Sequence, residues 1–246
     1  MNIFKNICIV LTRIRPCLLL SIFAVPAVLH AGSDTVSFRD DFRSLENWRP
    51  TYFTKIKEHT EYSIETEGEQ NFLKAESSAS ASGIVLKREF SLPEYTKVRW
   101  RWKISNVYKK GNGEGKAGDD YPMRVYIAFK YDPSAASITR RLKYGLIRSI
   151  YGEYPPHSSL VYIWANHMHR DRIIDNVYAS EAKMVVLQAG NENSGKWVDQ
   201  EINIVEDYQD AFGTAPPATW GIALMNDSDN TGESSVSYID YIEVFR

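Results

Sequence analysis

Cysteine is scarce in this sequence, and both cysteines lie near its start. The 246-residue chain contains Cys8 and Cys17 and no cysteine beyond them. A chain that lost its first 31 residues would therefore have neither a disulfide nor a thiol nucleophile. Such a domain must gain its stability from an apolar core, and roughly 215 residues are enough to bury one without covalent links.

Acidic residues are absent before Asp34, and long apolar runs are absent after Val28. The segment between the start and residue 31 carries three cations followed by an almost wholly apolar run from 17 to 28; the cations are Lys5, Arg13 and Arg15. This order is typical of a signal peptide, and the run is shorter than the ~20 residues of a membrane-spanning helix. We predict that residues 1–31 are removed, with a cut after Ala27 or Ala31, leaving a periplasmic or secreted protein without a membrane span.

Excess positive charge is also lacking. The whole chain has a formal charge of −2, and loss of the three N-terminal cations would lower it to about −5. Because nucleic-acid-binding domains are usually basic, nucleic acid is disfavoured as a partner.

Several common catalytic motifs are missing. The sequence contains no Gly-x-Ser-x-Gly, no His-Glu-x-x-His and no phosphate-binding glycine loop followed by lysine. The most frequent hydrolase, zinc-protease and nucleotide-binding explanations therefore lose most of their support.

What the sequence does contain is alternation of apolar and polar residues, bounded by Gly, Pro, Asn, Asp and Ser. This pattern predicts half-buried strands near 61–66, 71–76, 83–90, 96–104, 122–130, 159–165, 183–189, 197–204, 219–226 and 235–245. Ten short strands with few helices indicate an all-β fold, a sandwich or barrel. We predict one β-sandwich domain over residues 32–246.

Two of these strands place cations opposite their apolar side chains. In 98–104 the two-residue period puts Arg99, Arg101 and Lys103 on the side opposite Val98, Trp100, Trp102 and Ile104. In the strand after Pro122 the same period puts Arg124 and Tyr126 on the side opposite the apolar positions. We predict that these cations and Tyr126 share one open sheet face that contacts a glycan. A solvated outer face without a ligand is an equally simple interpretation.

Helical periodicity occurs in two places. Ile138, Leu142, Leu146 and Ile150 follow a four-residue spacing among several cations. This segment, 134–150, is either a cover for the core or a basic lid or membrane-surface segment. A second short helix is expected near 205–212, ending at Gly213.

Acidic residues cluster at two strand ends. Asp119 and Asp120 precede the strand that opens with Arg124, where they can form a ligand clamp or an acid–base group. The alternative is that Asp119 simply caps the turn and Asp120 pairs with Arg124. Asp227, Asp229 and Asn230 offer oxygen ligands at close spacing before Gly232, as part of a calcium-binding loop does. The alternatives there are a calcium or sugar-hydroxyl site and a polar hairpin turn.

A strand that ends in Trp164 and Asn166 leads into two histidines. His167 and His169 are two positions apart, which suits one side of an extended chain, and His167 is a candidate general base. Trp164 and Asn166 are candidate ligand contacts beside it.

The two ends of the domain resemble the first and last strands of jelly-roll carbohydrate-binding modules. The segments are Phe38–Phe42 and Tyr238–Val244. This resemblance implies that the two strands pair and that an Asp from each region helps to hold a structural calcium ion, with Asp41 and Asp240 as the candidates.

A wider resemblance covers most of the chain after Phe42. The stretches VRWRWK, GDDYPMRVYIAF, VYIWAN and GIALMNDSDNTGE, together with 197–213, are similar to a bacterial family catalogued as domain of unknown function 3047. The family implies an exported jelly-roll domain but no established activity and no residue roles.

We therefore predict an exported glycan-binding domain of the jelly-roll type with one or two short helices, a polysaccharide partner and, at most, a structural calcium as cofactor. The alternatives are a polysaccharide-cleaving lyase or hydrolase that uses Asp119, Asp120 or His167, and a protein-interaction module of the cell envelope.

Overall fold

The computed structural model describes residues 34–151 and 154–246. The predicted signal peptide, residues 1–31, and both cysteines lie outside these ranges. Within them, the strands are β1 (Val36–Asp40), β2 (Trp48–Thr51), β3 (Glu61–Glu67), β4 (Gln70–Ser78), β5 (Ala81–Ser91), β6 (Lys97–Ile104), β7 (Arg124–Phe129), β8 (Ser158–Ala165), β9 (Ile173–Asp175), β10 (Ala182–Ala189), β11 (Val198–Asn203), β12 (Thr219–Asp227) and β13 (Ser234–Phe245). The helices are α1 (Ile138–Tyr151) and α2 (Ile204–Phe212).

The strands form two sheets. Sheet A has the order β11-β6-β13-β4-β3, with β1 also paired to β13, and sheet B has the order β2-β5-β12-β7-β8-β10-β9. All pairings are antiparallel except that of β8 with β10. The predicted all-β sandwich is confirmed, as is the pairing of the first and last strands, in which Asp40 lies opposite Ile242.

The core lies between the sheets because the alternating strands turn their apolar sides toward each other. In β6, Val98, Trp100, Trp102 and Ile104 are buried, as the period predicts. The ring of Trp100 lies 5.8 Å from that of Tyr162 in β8, and the ring of Trp102 lies 5.7 Å from that of Trp164. These aromatic pairs join sheet A to sheet B and together bury a large apolar area.

Strand β8 is buried along its whole length. Leu160, Tyr162 and Trp164 belong to the main core, whereas Val161 and Ile163 belong to a second, smaller apolar cluster on the other side of sheet B. The outer side of sheet B is therefore partly covered, in contrast to a fully solvated face.

The helices match their sequence signals. The Asn203 side chain accepts hydrogen bonds from the Val205 and Glu206 amides at the start of α2, and Gly213 ends it in the left-handed conformation, with φ of 69°. Helix α1 is anchored by Tyr144, whose ring lies 4.5 Å from that of Tyr131. Over the described residues, neither helix is long and apolar enough to cross a membrane.

Candidate functional site

A cleft of about 610 Å³ opens on the outer side of sheet B. Its floor comes from the two central strands, with Arg124 and Tyr126 from β7 and Met225 and Asp227 from β12. Its walls come from the loops that follow β2 and β9, the two edge strands of the same sheet. The cleft therefore lies where loops from both edges fold over the middle of the sheet.

The polar floor is built around a buried arginine. Arg124 donates from Nε to Asp227 Oδ1 at 2.8 Å and from a terminal nitrogen to Asp227 Oδ2, and its other terminal nitrogen lies 3.3 Å from Asp119 Oδ2. All three side chains are buried. Burial opposes the charge of Arg124, but Asp227, Tyr126 and Asp119 hold its pKa well above the ordinary value.

The Asp120 side chain bonds to the loop that follows β12. One of its carboxylate oxygens accepts from the Asn230 amide and side chain, at 3.3 and 3.0 Å, and the other accepts from the Thr231 amide at 2.6 Å. It therefore fixes the loop between β12 and β13, while Asp119 is the neighbour that pairs with Arg124. The alternative in which Asp119 caps the turn and Asp120 pairs with Arg124 is therefore wrong.

The loop that Asp120 holds is not a hairpin turn. Strand β12 belongs to sheet B and β13 to sheet A, so residues 228–233 carry the chain from one sheet to the other. Gly232, with φ of 69°, supplies the left-handed backbone at the end of this crossing.

Carboxylates outnumber cations in the floor. Burial raises the pKa of Asp227 to about 7 against the opposing effect of Arg124, with Asp120 and Asp119 raising it further. Burial and Asp120 also raise the pKa of Asp229, which is half-buried and lines the cleft. Oxygens of Asp120, Asp227 and Asp229 lie within 4.8 Å of one another, a spacing that could hold a metal ion.

The walls are aromatic. Tyr52 and Phe53 are exposed on the loop after β2, and Tyr178 is exposed on the loop after β9. The Tyr178 hydroxyl lies 3.3 Å from Asn230 Oδ1, which joins one wall to the polar floor. Sequence patterns missed these three residues because they follow strands too short to show a period.

The predicted shared face of cations does not exist. Arg99, Arg101 and Lys103 lie on the outer side of sheet A, whereas Arg124 and Tyr126 lie on the outer side of sheet B, with the core between them. The two strands are consecutive in the described chain but belong to different sheets, so their polar sides point in opposite directions.

The sheet A cations are also engaged by their neighbours. Arg99 pairs with Glu243 and with Asp34, at 3.2 Å for the latter, and Arg101 Nη1 lies 3.5 Å from Asp240 Oδ2. The Lys103 ammonium lies 4.5 Å from the ring centroids of both Trp197 and Tyr238.

Trp164 and Asn166 are structural. Trp164 is fully buried between the sheets and donates to the Gly190 carbonyl at 3.0 Å, so its indole cannot reach a ligand outside the core. Asn166 is buried, accepts from the Tyr108 amide at 2.8 Å and donates to the Asp120 carbonyl at 2.7 Å. Their prediction as ligand contacts is corrected by this burial.

His167 is exposed, and its ring lies 4.6 Å from that of His169. The described lining of the cleft does not include either histidine. His167 therefore lies outside the lining of the cleft to which Asp119 belongs.

Asp41 and Asp240, the predicted calcium ligands, line one shallow groove, and each faces an arginine. Asp41 Oδ1 lies 2.8 Å from Arg39 Nε, and Asp240 pairs with Arg101 while accepting from Gln70 at 2.6 Å. Among the described residues, the carboxylates grouped closely enough for a metal ion are those of the cleft.

Most of the chain matches one known protein family. The profile of the family described as "Protein of unknown function (DUF3047)" matches residues 46–243. The chain belongs to this family. No curated protein matches this DUF3047 chain.

Several solved structures are similar to the chain at low identity and with TM-scores below 0.5. The family 11 carbohydrate-binding module from Clostridium thermocellum, in complex with a mixed-linked tetrasaccharide, is 16% identical, with a TM-score of 0.41 over 83% of the DUF3047 chain and 92% of the module. A family 12 xyloglucanase from Bacillus licheniformis is 10% identical, with a TM-score of 0.45 over 87% and 99% of the two chains. A lectin from Bauhinia forficata in complex with GalNAc is 12% identical, with a TM-score of 0.40 over 87% and 98%.

Proposed function

We propose that this protein binds a neutral, hydroxyl-rich glycan in the cleft on sheet B. The observation that carries the proposal is the combination of exposed aromatic walls with a polar carboxylate floor in one open cleft. Aromatic faces pack against the C–H faces of sugar rings, and carboxylate and amide groups accept and donate hydrogen bonds to hydroxyls. Asp229 and Asn230 are the polar residues nearest to solvent in this floor.

The charge of the floor argues against an anionic ligand. Arg124, the cation of the floor, is buried and already bonded to Asp227 and Asp119, which leaves Lys55 on the wall as the exposed cation of the described lining. A bound anion would also face the carboxyl of Asp229, which lines the cleft, and like charges at short range repel. Neutral polymers are therefore the expected ligands.

Calorimetry against a panel of soluble neutral glycans and polyuronates tests this proposal. Tyr52→Ala and Tyr178→Ala should each weaken binding of the best neutral glycan by about threefold to tenfold, because each removes one stacking surface. Trp197→Ala is the matched control, since Trp197 is a half-buried aromatic residue on the outer side of sheet A. If Trp197→Ala lost glycan binding while Tyr178→Ala kept it, the glycan site would lie on sheet A and not in the cleft.

A second candidate function, glycan cleavage, is favoured by Asp229. This carboxyl is half-buried in the cleft, and burial raises its pKa, which suits a group that gives a proton to a leaving oxygen. New reducing ends or unsaturated products that disappear in Asp229→Asn, while glycan binding persists, would identify an enzyme. Binding without any product, in the parent protein and in the variant alike, leaves a binding protein.

We also propose that the protein works in the periplasm or outside the cell. The basis is the N-terminal sequence pattern of three cations and a short apolar run. N-terminal sequencing of the protein from its native host should find a start at residue 28 or 32, and a start at Met1 would contradict export by cleavage.

A further inference from the structure

Helix α1 carries a row of apolar side chains that point into solvent. Ile138, Leu142 and Leu146 are 75%, 72% and 64% exposed. They are spaced by four residues and span roughly 80° of the helix circumference. Exposed leucines in a continuous row are unusual on a soluble domain and mark an interaction surface.

The helix is attached to the domain by its opposite side. Tyr144 is buried, with its ring against Tyr131, and Arg140 lies 3.1 Å from His157 Nε2. Ile147 is half-buried on the same side. The apolar row therefore faces away from the sandwich, and attachment to the domain does not use it.

Cations flank this row, and one of them, Lys143, has an acidic neighbour outside the helix, since its Nζ lies 3.7 Å from Glu181 Oε1. Arg141, Lys143 and Arg148 are exposed, and the sequence has no acidic residue between Asp132 and Glu153. On a helical projection, Lys143 lies beyond one edge of the row, and Arg141 and Arg148 lie beyond the other. The rest of the chain has an excess of acids, so the positive charge is local to this helix.

We propose that α1 docks the protein on an anionic lipid surface. An interfacial helix inserts its apolar side chains at the boundary of headgroups and acyl chains, while flanking lysines and arginines reach the anionic headgroups. The charge of α1 favours a lipid surface over a second copy of the chain. Two copies would bring their flanking cations together, whereas anionic headgroups would neutralise those cations. With three inserted side chains, the binding is weak, reversible and sensitive to salt.

Vesicle co-sedimentation of the full chain tests the docking. Vesicles of phosphatidylglycerol and phosphatidylcholine in equal parts should bind the protein, and pure phosphatidylcholine vesicles should bind it several-fold less. Raising the salt from about 0.05 to about 0.5 M should reduce binding, since the headgroup attraction is screened. Parent and variants are compared with the same N terminus, so that any contribution of residues 1–31 is common to all.

The decisive variant carries Leu142→Ser and Leu146→Ser together, and it should lose about tenfold or more in partition to the anionic vesicles. Met168→Ser is the matched control, because Met168 is 79% exposed on a loop away from α1 and should leave partition unchanged. Circular dichroism verifies that each variant is folded.

Two results would overturn the proposal. One is equal partition of the parent and the double variant into anionic vesicles. The other is a parent that is dimeric by light scattering, a double variant that is monomeric, and no vesicle binding by either, which would assign the row to self-association. The glycan cleft has no part in either measurement.

Discussion

Arg124 lies between two carboxylates in the floor of the cleft, and all three side chains are buried. A buried ion pair contributes little net stability over an apolar replacement, but loss of one partner leaves the other charge uncompensated. Asp227 and Asp119 would both be left in that state if Arg124 were removed. This makes Arg124 a structural requirement of the cleft, independent of any ligand.

We therefore expect Arg124→Met to lower the free energy of unfolding by about 3–5 kcal/mol, measured by urea denaturation. The matched control is Lys130→Met, whose partner Glu89 is exposed, and its cost should stay below about 1 kcal/mol. Equal losses of unfolding free energy in the two variants would show that the buried ion pairs of Arg124 contribute no more to stability than one exposed ion pair.

The sequence identified the right charged residues at this scale but not their partners. Asp119, Asp120, Arg124 and Asp227 were recognisable because they stand at the ends of apolar strands. Their pairing depends on contacts such as that of Arg124 with Asp227, 103 positions apart, which no local pattern encodes. Trp164 was wrongly predicted to contact a ligand, because its position at a strand end does not show which side of the sheet packs against the other sheet.

At the scale of elements, the loop before β7 positions two of the cleft's acids. Gly118 accepts from the Asn112 amide at 2.7 Å and from the Asp120 amide at 2.8 Å. A methyl group on Gly118 would come within 2.6 Å of the Asn112 backbone nitrogen. The close approach of two backbone segments therefore requires glycine here.

Gly118→Ala should cost about 1–3 kcal/mol of unfolding free energy, because the backbone of Asn112 must move to admit the methyl group. Gly115→Ala, in the same loop, is the control, since a methyl group at Gly115 meets no atom within 4 Å. Thermal unfolding of both variants tests the difference. Equal melting temperatures would mean that the loop adapts without cost.

The ten predicted strands were found because each is long enough to show a two-residue period. Strands β2 and β9, of four and three residues, are too short for that signal and were missed. The loops that follow them carry Tyr52, Phe53 and Tyr178, so the aromatic walls of the cleft were missed with the strands. A helix was predicted within 134–150, and α1 covers 138–151. Its orientation was not predicted, because the same periodicity fits a covered and an exposed apolar row.

At the scale of the whole molecule, alternation shows which residues of a strand share a side but not which sheet the strand joins. This is why the cations of β6 and β7 were placed on one surface and lie on two. The apolar sides of the strands do pack together as alternation predicts, since the aromatic residues of β6 and β8 meet in the interior. The order of the strands within each sheet was not predicted.

The interior aromatic layer should dominate stability. Trp164→Ala removes a fully buried indole and should lower the free energy of unfolding by about 3–5 kcal/mol. Trp197→Ala, on the outer side of sheet A, should cost clearly less because its ring is half-buried. Denaturant titration compares the two, and equal costs would contradict an energetic centre between the sheets.

Strand β13 follows in the chain every strand with which it pairs, and it lies in the middle of sheet A between β6 and β4, with β1 at its far end. Without this segment β1 has no strand partner, and β4 and β6 are paired on one side only, with β3 and β11. Pairings this distant in sequence form slowly. Completion of sheet A therefore has to wait for the last strand of the chain.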